Sequence, residues 1–324
     1  MAERGAPGLE GGGTPAALDR LLQGSSRTFA LTIPLLPEPT RCEATVAYLL
    51  FRVADSLEDS TLWPRARKLA GLEQFASLLD RPSAAETKAL AARWREDPPI
   101  RHPGYEELLA EVPGVMRAAA SLAPAARQLV ARHTARTCRA MAAFVAREED
   151  GALRLRDLDD LRAYCYAVAG IVGEMLTELF LLRGEPLLPI ADELRRESAI
   201  FGEALQLVNI LRDRADDAAE GRTYLPDGLD PASAFAIARA DLAVAAGYCA
   251  RLERAGADRG LVAFTALPVL LARATLDAVE RRGAGAKISR GEVGALMAGL
   301  TEALDRRAVG PHLEDQSSSR GAAP

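Results

Sequence analysis

The stretch EATVAYLLFRVADSLED (residues 43–59) decides the fold. Its apolar residues recur at the three- and four-residue intervals of a helix, without the strict alternation of a half-buried strand. Within it Tyr48, Arg52, Asp55 and Asp59 are spaced by 4, 3 and 4 residues. At about 100° per residue they fall inside a sector of roughly 60°. The flanking Val46, Leu49, Leu50, Phe51 and Val53 are apolar, so the helix is expected to be largely buried with its polar stripe facing inward.

Two further stretches share this period: LRAYCYAVAGIVGEMLTELFLL (161–182) and ELRRESAIFGEALQLVNILRDRADD (193–217). The second repeats the stripe, with Gln206, Asn209, Asp213 and Asp217 at spacings of 3, 4 and 4 amid Leu205, Leu207, Val208, Ile210 and Leu211. Breaks fall at PLLPEPT, EDPPIRHPG, RGEPLLP and EGRTYLPDGLDP, where Pro and Gly end helices. No composition shift separates two halves. The expectation is one all-α bundle of ten or more helices around a central cavity, spanning residues 15–308, with mobile ends at 1–14 and 309–324.

With 324 residues, 49% of them hydrophobic, the chain can bury a deep core or enclose an apolar cavity, which excludes a disordered or disulfide-stapled protein. Forty basic and 45 acidic residues are interspersed to a net charge of −5, so nothing favours nucleic acid or anionic lipid as the main partner. Cys42, Cys138, Cys165 and Cys249 form no C-x-x-C pair, and His102, His133 and His312 sit in no metal spacing. The segment MAERGAPGLEGGG lacks the apolar core of a signal peptide, and no uninterrupted apolar run approaches a membrane span. A cytoplasmic protein, at most peripheral to the inner face of a membrane, is expected.

Asp is a poor helix former, and like charges four residues apart cost a few tenths of a kcal/mol more. One acidic pair on a helix reads as a solvated face. Two pairs, each ending a mostly apolar helix and each preceded by polar groups on the same face, read as a site for hard cations. Mg²⁺ binds through one or two carboxylates plus water and substrate phosphate, with Glu58 and Asp216 within reach as additional ligands. Carboxylate-held metal beside arginines points to a phosphate-bearing substrate, and the P-loop and G-x-G-x-x-G patterns are absent from the sequence. An apolar, water-excluding cavity then suggests ionisation of an allylic diphosphate.

SSRTFALTI (25–33), YLLFRVADSLED (48–59), YCYAVAGIVG (164–173), QLVNILRDRADD (206–217) and GRTYLP (221–226) together resemble the head-to-head (trans) isoprenyl diphosphate synthases, over roughly residues 20–300. That family comprises squalene, phytoene and dehydrosqualene synthases. The resemblance implies that Asp55, Asp59, Asp213 and Asp217, with Glu58 and Asn209 beside them, bind Mg²⁺, or Mn²⁺ in its place, bridging the diphosphates. It implies that Arg52, Arg212, Arg222, Ser26, Arg27 and Thr28, with Phe29, meet the substrate. Tyr164 then assists proton transfer or positions diphosphate, Gln206 and Asn209 line the cavity, and Tyr224 matches a phosphate-side tyrosine.

Within the family, SRTFALTI, AFTALPVLLARATL (263–276) and AKISRGEVGALM (286–297) lean toward the squalene synthases, the bacterial ones closest. By that comparison Tyr48, Phe264, Pro268 and Lys287 lie on the nicotinamide side, while Ser289 stands where those enzymes usually carry a basic residue. The implied reaction joins two farnesyl diphosphates through presqualene diphosphate to squalene, with NADPH reduction. The alternatives are a phytoene synthase acting on geranylgeranyl diphosphate, a dehydrosqualene synthase without NADPH, and a synthase stopping at presqualene diphosphate or hydroxysqualene.

Overall fold

The computed structural model describes residues 13–149 and 152–318. Among them the α-helices run in the order α1 (Pro15–Ser25), α2 (Phe29–Thr32), α3 (Thr40–Glu58), α4 (Arg65–Asp80), α5 (Ala84–Glu96), α6 (Pro103–Ala110), α7 (Val112–Ser121), α8 (Pro124–Val145), α9 (Leu158–Cys165), α10 (Ile171–Leu181), α11 (Ala191–Ala219), α12 (Pro231–Arg254), α13 (Arg259–Arg282), α14 (Arg290–Arg306) and α15 (Val309–Ser318). The all-α architecture expected from the helical period is what forms. The Pro/Gly breaks become the boundaries, with α6 and α12 each opening on the proline of its break, a position where the missing N–H costs nothing.

Three local features depart from the sequence reading. The stretch 161–182 is helical, but Tyr166–Gly170 forms a π-helical turn between α9 and α10; such single turns insert a residue and re-aim the side chains beyond them. Leu153–Arg154 (β1) and Arg222–Thr223 (β2) pair as a two-residue parallel ladder, too short to show alternation. The expected mobile tail from 309 onward is corrected as well, since Val309–Ser318 is helix α15. Val309 and Leu313, four residues apart and so on one face, are fully buried, and the Val309 amide donates to both carboxylate oxygens of Glu253 at 3.1 and 2.9 Å. The expected mobile segment 1–14 lies, up to residue 12, outside the described residues, as do 319–324.

Among the described residues the core forms two clusters. One gathers α9 to α15, including Phe180, Leu207, Leu211, Leu267 and Val269; the other gathers α3, α4, α7 and α8, including Leu49, Leu57, Phe75 and Val130. Tyr48, Val168 and Leu176 pack against both, and the cavity described below runs along this seam. Its wall depends on a close helix crossing between α10 and α11. A Cβ on Gly173 would stand 2.0 Å from the Ser198 carbonyl oxygen, and one on Gly202 would stand 2.1 Å from that of Ala169.

Among the described residues, three helical segments, Leu158–Leu181, Pro231–Arg254 and Arg259–Arg282, are long and apolar enough to cross a membrane by length and composition alone. In the folded chain 56%, 50% and 83% of their apolar windows are buried inside the protein.

An ion cluster fastens the end of α8 to the start of α9. The buried Asp160 carboxylate accepts two bonds from Arg147, at 2.8 and 2.5 Å, and one from the Arg156 amide at 3.0 Å. Its pKa is held below the usual carboxylate range, chiefly by the Arg147 bonds, against the opposing effect of burial. A folded-state value below the unfolded one means that the stabilisation is complete above about pH 4 and is lost as the pH falls. Asp160→Asn is therefore expected to lower the melting temperature at pH 7 by roughly 3–8 °C, a deficit that shrinks in an acid titration. Gly173→Ala should cost about 1–3 kcal/mol in chemical denaturation, because backbone rather than a pliable side chain must give way.

Candidate active site

The C-terminal ends of α3 and α11 meet at one arginine. Arg222, on β2, places Nη1 3.7 Å from Oδ1 of Asp59 and Nη2 3.7 Å from Oδ1 of Asp217. It also donates to the Asp59 carbonyl at 3.4 Å and to Glu220 at 2.5 Å. The β1–β2 ladder, extended by the Leu155 amide donating to the Thr223 carbonyl at 3.1 Å, holds this segment across the two helix ends. Its Nε is buried without a partner, so the guanidinium retains an unused donor.

Asp55, a turn before Asp59, pairs with Arg52 at 3.3 Å. Asp213, a turn before Asp217, is gripped by its neighbour Arg212 at 2.7 and 2.5 Å. Burial pushes the Asp55 carboxyl up to about 6, with Arg52 opposing and Asp59 adding to the shift. Burial likewise pushes Asp217 up to about 6 against Arg222, with Asp213 and Asp59 adding. Glu58 is raised well above the carboxylate range, by burial first and then by Asp59 and Asp55. The arginines thus leave the negative charge of the cluster incompletely compensated.

Glu58 is buried beside Asp59. It accepts a hydrogen bond from the buried Tyr164 hydroxyl at 3.3 Å. The Tyr164 ring stacks on Tyr224 at 4.7 Å and meets Phe144 edge-on at 5.2 Å. Burial and the nearby Glu58 raise both phenols, so each stays protonated at neutral pH. Glu58, Tyr164 and Tyr224 form a floor behind the aspartates.

From the aspartates a cavity of about 210 Å³ runs along the seam between the core clusters. Arg52, Asp55, Gln206 and Asn209 make its polar mouth, and apolar residues such as Val168, Val172, Leu176 and Leu205 its walls. Phe29, packed on Tyr48 at 5.2 Å, covers one side. The far wall carries Phe264 and Pro268 from α13 and Tyr248, whose hydroxyl shares a 2.8 Å hydrogen bond with Thr177.

Of the residues singled out from sequence, Arg52, Asp55, Gln206 and Asn209 line this mouth, and Tyr48, Phe264 and Pro268 line the cavity. Asp59 and Asp217 meet at Arg222 a turn or more beyond it, with Asp213 a turn before Asp217, and Asp217 and Arg222 line a second, smaller hollow. Ser26 uses its hydroxyl to accept from the Phe29 amide at 2.9 Å, while Arg27 and Thr28 are exposed beside it. Lys287 does not line the cavity. It is exposed on a loop whose Gly285 amide donates to the Arg212 carbonyl at 2.7 Å, and its own carbonyl accepts from Arg282. Ser289 caps α14, accepting from the Glu292 amide while Glu292 bonds the Ser289 amide in return, which accounts for a small hydroxyl residue there. The sequence reading passed over Tyr105, whose ring lies 5.5 Å from the Arg52 guanidinium. It sits just past a Pro/Gly break with no periodic signal.

Among the described residues, no three acidic, histidine or cysteine side chains converge closely enough to cage a metal by themselves. Mg²⁺ does not require such a cage, since it keeps waters and shares its ligands with substrate phosphate. Hard carboxylate oxygens gathered at two helix ends, with Asp55, Asp217 and Glu58 raised chiefly by burial, form a donor set that a divalent cation relieves, so the residues fit the ion.

A family model described as squalene/phytoene synthase matches residues 22–230, more than half of the chain. The squalene synthase of Eremothecium gossypii is 29% identical over 211 residues, covering 64% of this chain and 45% of its own length. That of Cyberlindnera jadinii is 30% identical over 208 residues, covering 64% and 44%. The chain therefore spans less than half of the length of the curated relatives it matches. A solved structure, described as the complex of TcSQS with the ligand BPH1237, superposes with a TM-score of 0.72 at 25% identity, over 95% of this chain and 92% of that one. The match takes in the opening serine segment, both aspartate helices and the strand that carries Arg222, and the chain belongs to the squalene/phytoene synthase family.

Proposed function

We propose that the protein is a prenyltransferase that condenses two farnesyl diphosphates head to head, through presqualene diphosphate, to squalene. The observation that carries this reading is the meeting of two aspartate-bearing helix ends across Arg222, a turn or more beyond the Asp55 and Asn209 that line the mouth of an apolar cavity. Asp55, Asp59, Asp213 and Asp217 would hold Mg²⁺, with Glu58 and Asn209 nearby; when bound, the ion neutralises the diphosphate that departs with the electron pair of its C–O bond. Arg222, with its spare Nε–H, and Arg52 bind and orient the phosphate oxygens.

The walls supplied by Val168, Val172, Leu176 and Leu205 hold the prenyl chains and exclude the water that would quench an allylic cation. Tyr164 keeps its proton on Oη and steadies Glu58, so in this reading it positions the site and is not a base. NADPH, when bound, supplies the hydride that quenches the rearranged cation, and Tyr48, Phe264 and Pro268 are the cavity residues that would meet it. We further propose a cytoplasmic protein, at most peripheral to a membrane, consistent with the burial of half or more of each apolar helix window.

A second reading is favoured by one observation: Lys287 stands off the cavity, and Ser289 is engaged as a helix cap. In it the same aspartates act without NADPH, giving dehydrosqualene or, from geranylgeranyl diphosphate, phytoene, or the reaction stops at presqualene diphosphate or hydroxysqualene.

Mass spectrometry of products formed from farnesyl diphosphate with Mg²⁺ separates these readings. Squalene appearing only with NADPH is the expected result, and dehydrosqualene, hydroxysqualene or presqualene diphosphate accumulating regardless of NADPH selects the second reading. Asp55→Asn and Asp217→Asn should each lower kcat by about 10²-fold or more, the scale of removing one group that stabilises developing charge. Turnover of both variants equal to that of the parent would remove the aspartates from the chemistry.

A further inference from the structure

Arg52 is held by more than its carboxylate. Its Nε donates to the Tyr48 hydroxyl at 3.3 Å, and that hydroxyl in turn donates to the Ser25 carbonyl at 2.8 Å. Its guanidinium carbon lies 5.7 Å from the centroid of the Tyr48 ring and 5.5 Å from that of Tyr105, both inside the range in which a ring face attracts a cation. Tyr105 is itself backed by the His102 ring, 4.2 Å away and tilted by 33°.

Tyr105 reaches this point because the first turn of α6 is pressed onto the end of α1. A Cβ on Gly104 would stand 2.0 Å from the Gly24 carbonyl oxygen, a backbone contact that only glycine permits. The same junction precedes Ser25, the residue that anchors Tyr48. One helix crossing therefore sets both rings about one arginine.

Resting on the prenyltransferase reading, we propose that Tyr105 is a positioning residue for diphosphate binding, fixing the plane of the Arg52 guanidinium. Arg52 shares Asp55 with whatever cation that carboxylate binds. When Asp55 turns to the cation, the Tyr48 and Tyr105 rings are what keep the guanidinium in place. A fixed plane matters because an arginine meets two phosphate oxygens only as a flat fork, and a fork already immobilised loses less freedom on binding. The aromatic faces supply attraction without competing for the N–H donors that the phosphate needs.

The test is the affinity of the full chain for inorganic diphosphate with MgCl₂, by titration calorimetry, alongside KM and kcat with farnesyl diphosphate. Tyr105→Leu should weaken diphosphate binding about five- to tenfold and raise KM more than it lowers kcat, while Tyr105→Phe, which keeps the ring, restores most of the affinity. If the Leu variant does not fold, Tyr105→Met keeps bulk without a ring face and takes its place. Arg52→Ala should weaken binding at least as much, and adding Tyr105→Leu to it should cost nothing further, because the ring acts through the arginine.

Losses that add in the double variant, or a Phe variant as weak as Leu, would overturn the positioning role. So would parental affinity in Tyr105→Leu while Arg52→Ala is impaired, leaving the prenyltransferase reading intact. Parental diphosphate affinity in Arg52→Ala would likewise overturn the positioning role, whereas absence of any prenyl product from farnesyl diphosphate in the parent would overturn the reading on which it rests.

Discussion

Like charge packed at the ends of two buried helices is the constraint around which the rest of the structure is arranged. Asp55, Asp59, Asp213 and Asp217 project where α3 and α11 converge, and the fold answers with arginines. Arg52 and Arg212 each take one aspartate, and Arg222 spans the gap between the other two. A bare acidic helix end would favour splaying into water. The short β1–β2 ladder has value out of proportion to its length for this reason: it holds Arg222 across the two helix ends.

The compensation is incomplete, and that incompleteness is informative. Asp55 and Asp217 sit well above ordinary carboxylate pKa values because burial and their acidic neighbours outweigh the arginines. A purely structural cluster relaxes toward full pairing, as Asp160 does with Arg147 and Arg156, where the carboxyl is depressed. The contrast between these two acid–arginine groups within one chain is set first by burial, which dominates at Asp55 and Asp217 and is overcome by the arginine bonds at Asp160.

Much of the site was legible because helical geometry converts spacing into direction. Tyr48, Arg52, Asp55 and Asp59 share a sector by arithmetic, and the structure puts them on one side of α3. What spacing cannot express is which helix lies opposite. Tyr105 is brought beside Arg52 by packing between distant segments, among them the backbone contact of Gly104 with Gly24, residues 80 positions apart in the chain. Lys287, matched by resemblance, lies on a loop tied to Arg212 outside the cavity. The π turn at Tyr166–Gly170 leaves no mark in the hydrophobic period, because the stretch is apolar on nearly every face. The helix at Val309–Ser318 escaped notice since the large apolar side chains it is seen to bury among the described residues, Val309 and Leu313, are too few to register as a pattern.

The cavity lies between two core clusters that share Tyr48, Val168 and Leu176 along their border. A seam of this kind is where a folded chain has fewest dispersion contacts across it, because the space is held open by the walls and not filled by side chains. A prenyl chain lying there, as proposed above, would complete the packing between the two clusters and bind only when both are formed. Ligand occupancy and global stability are then linked by mass action, so an occupant of the seam raises the stability of both clusters together.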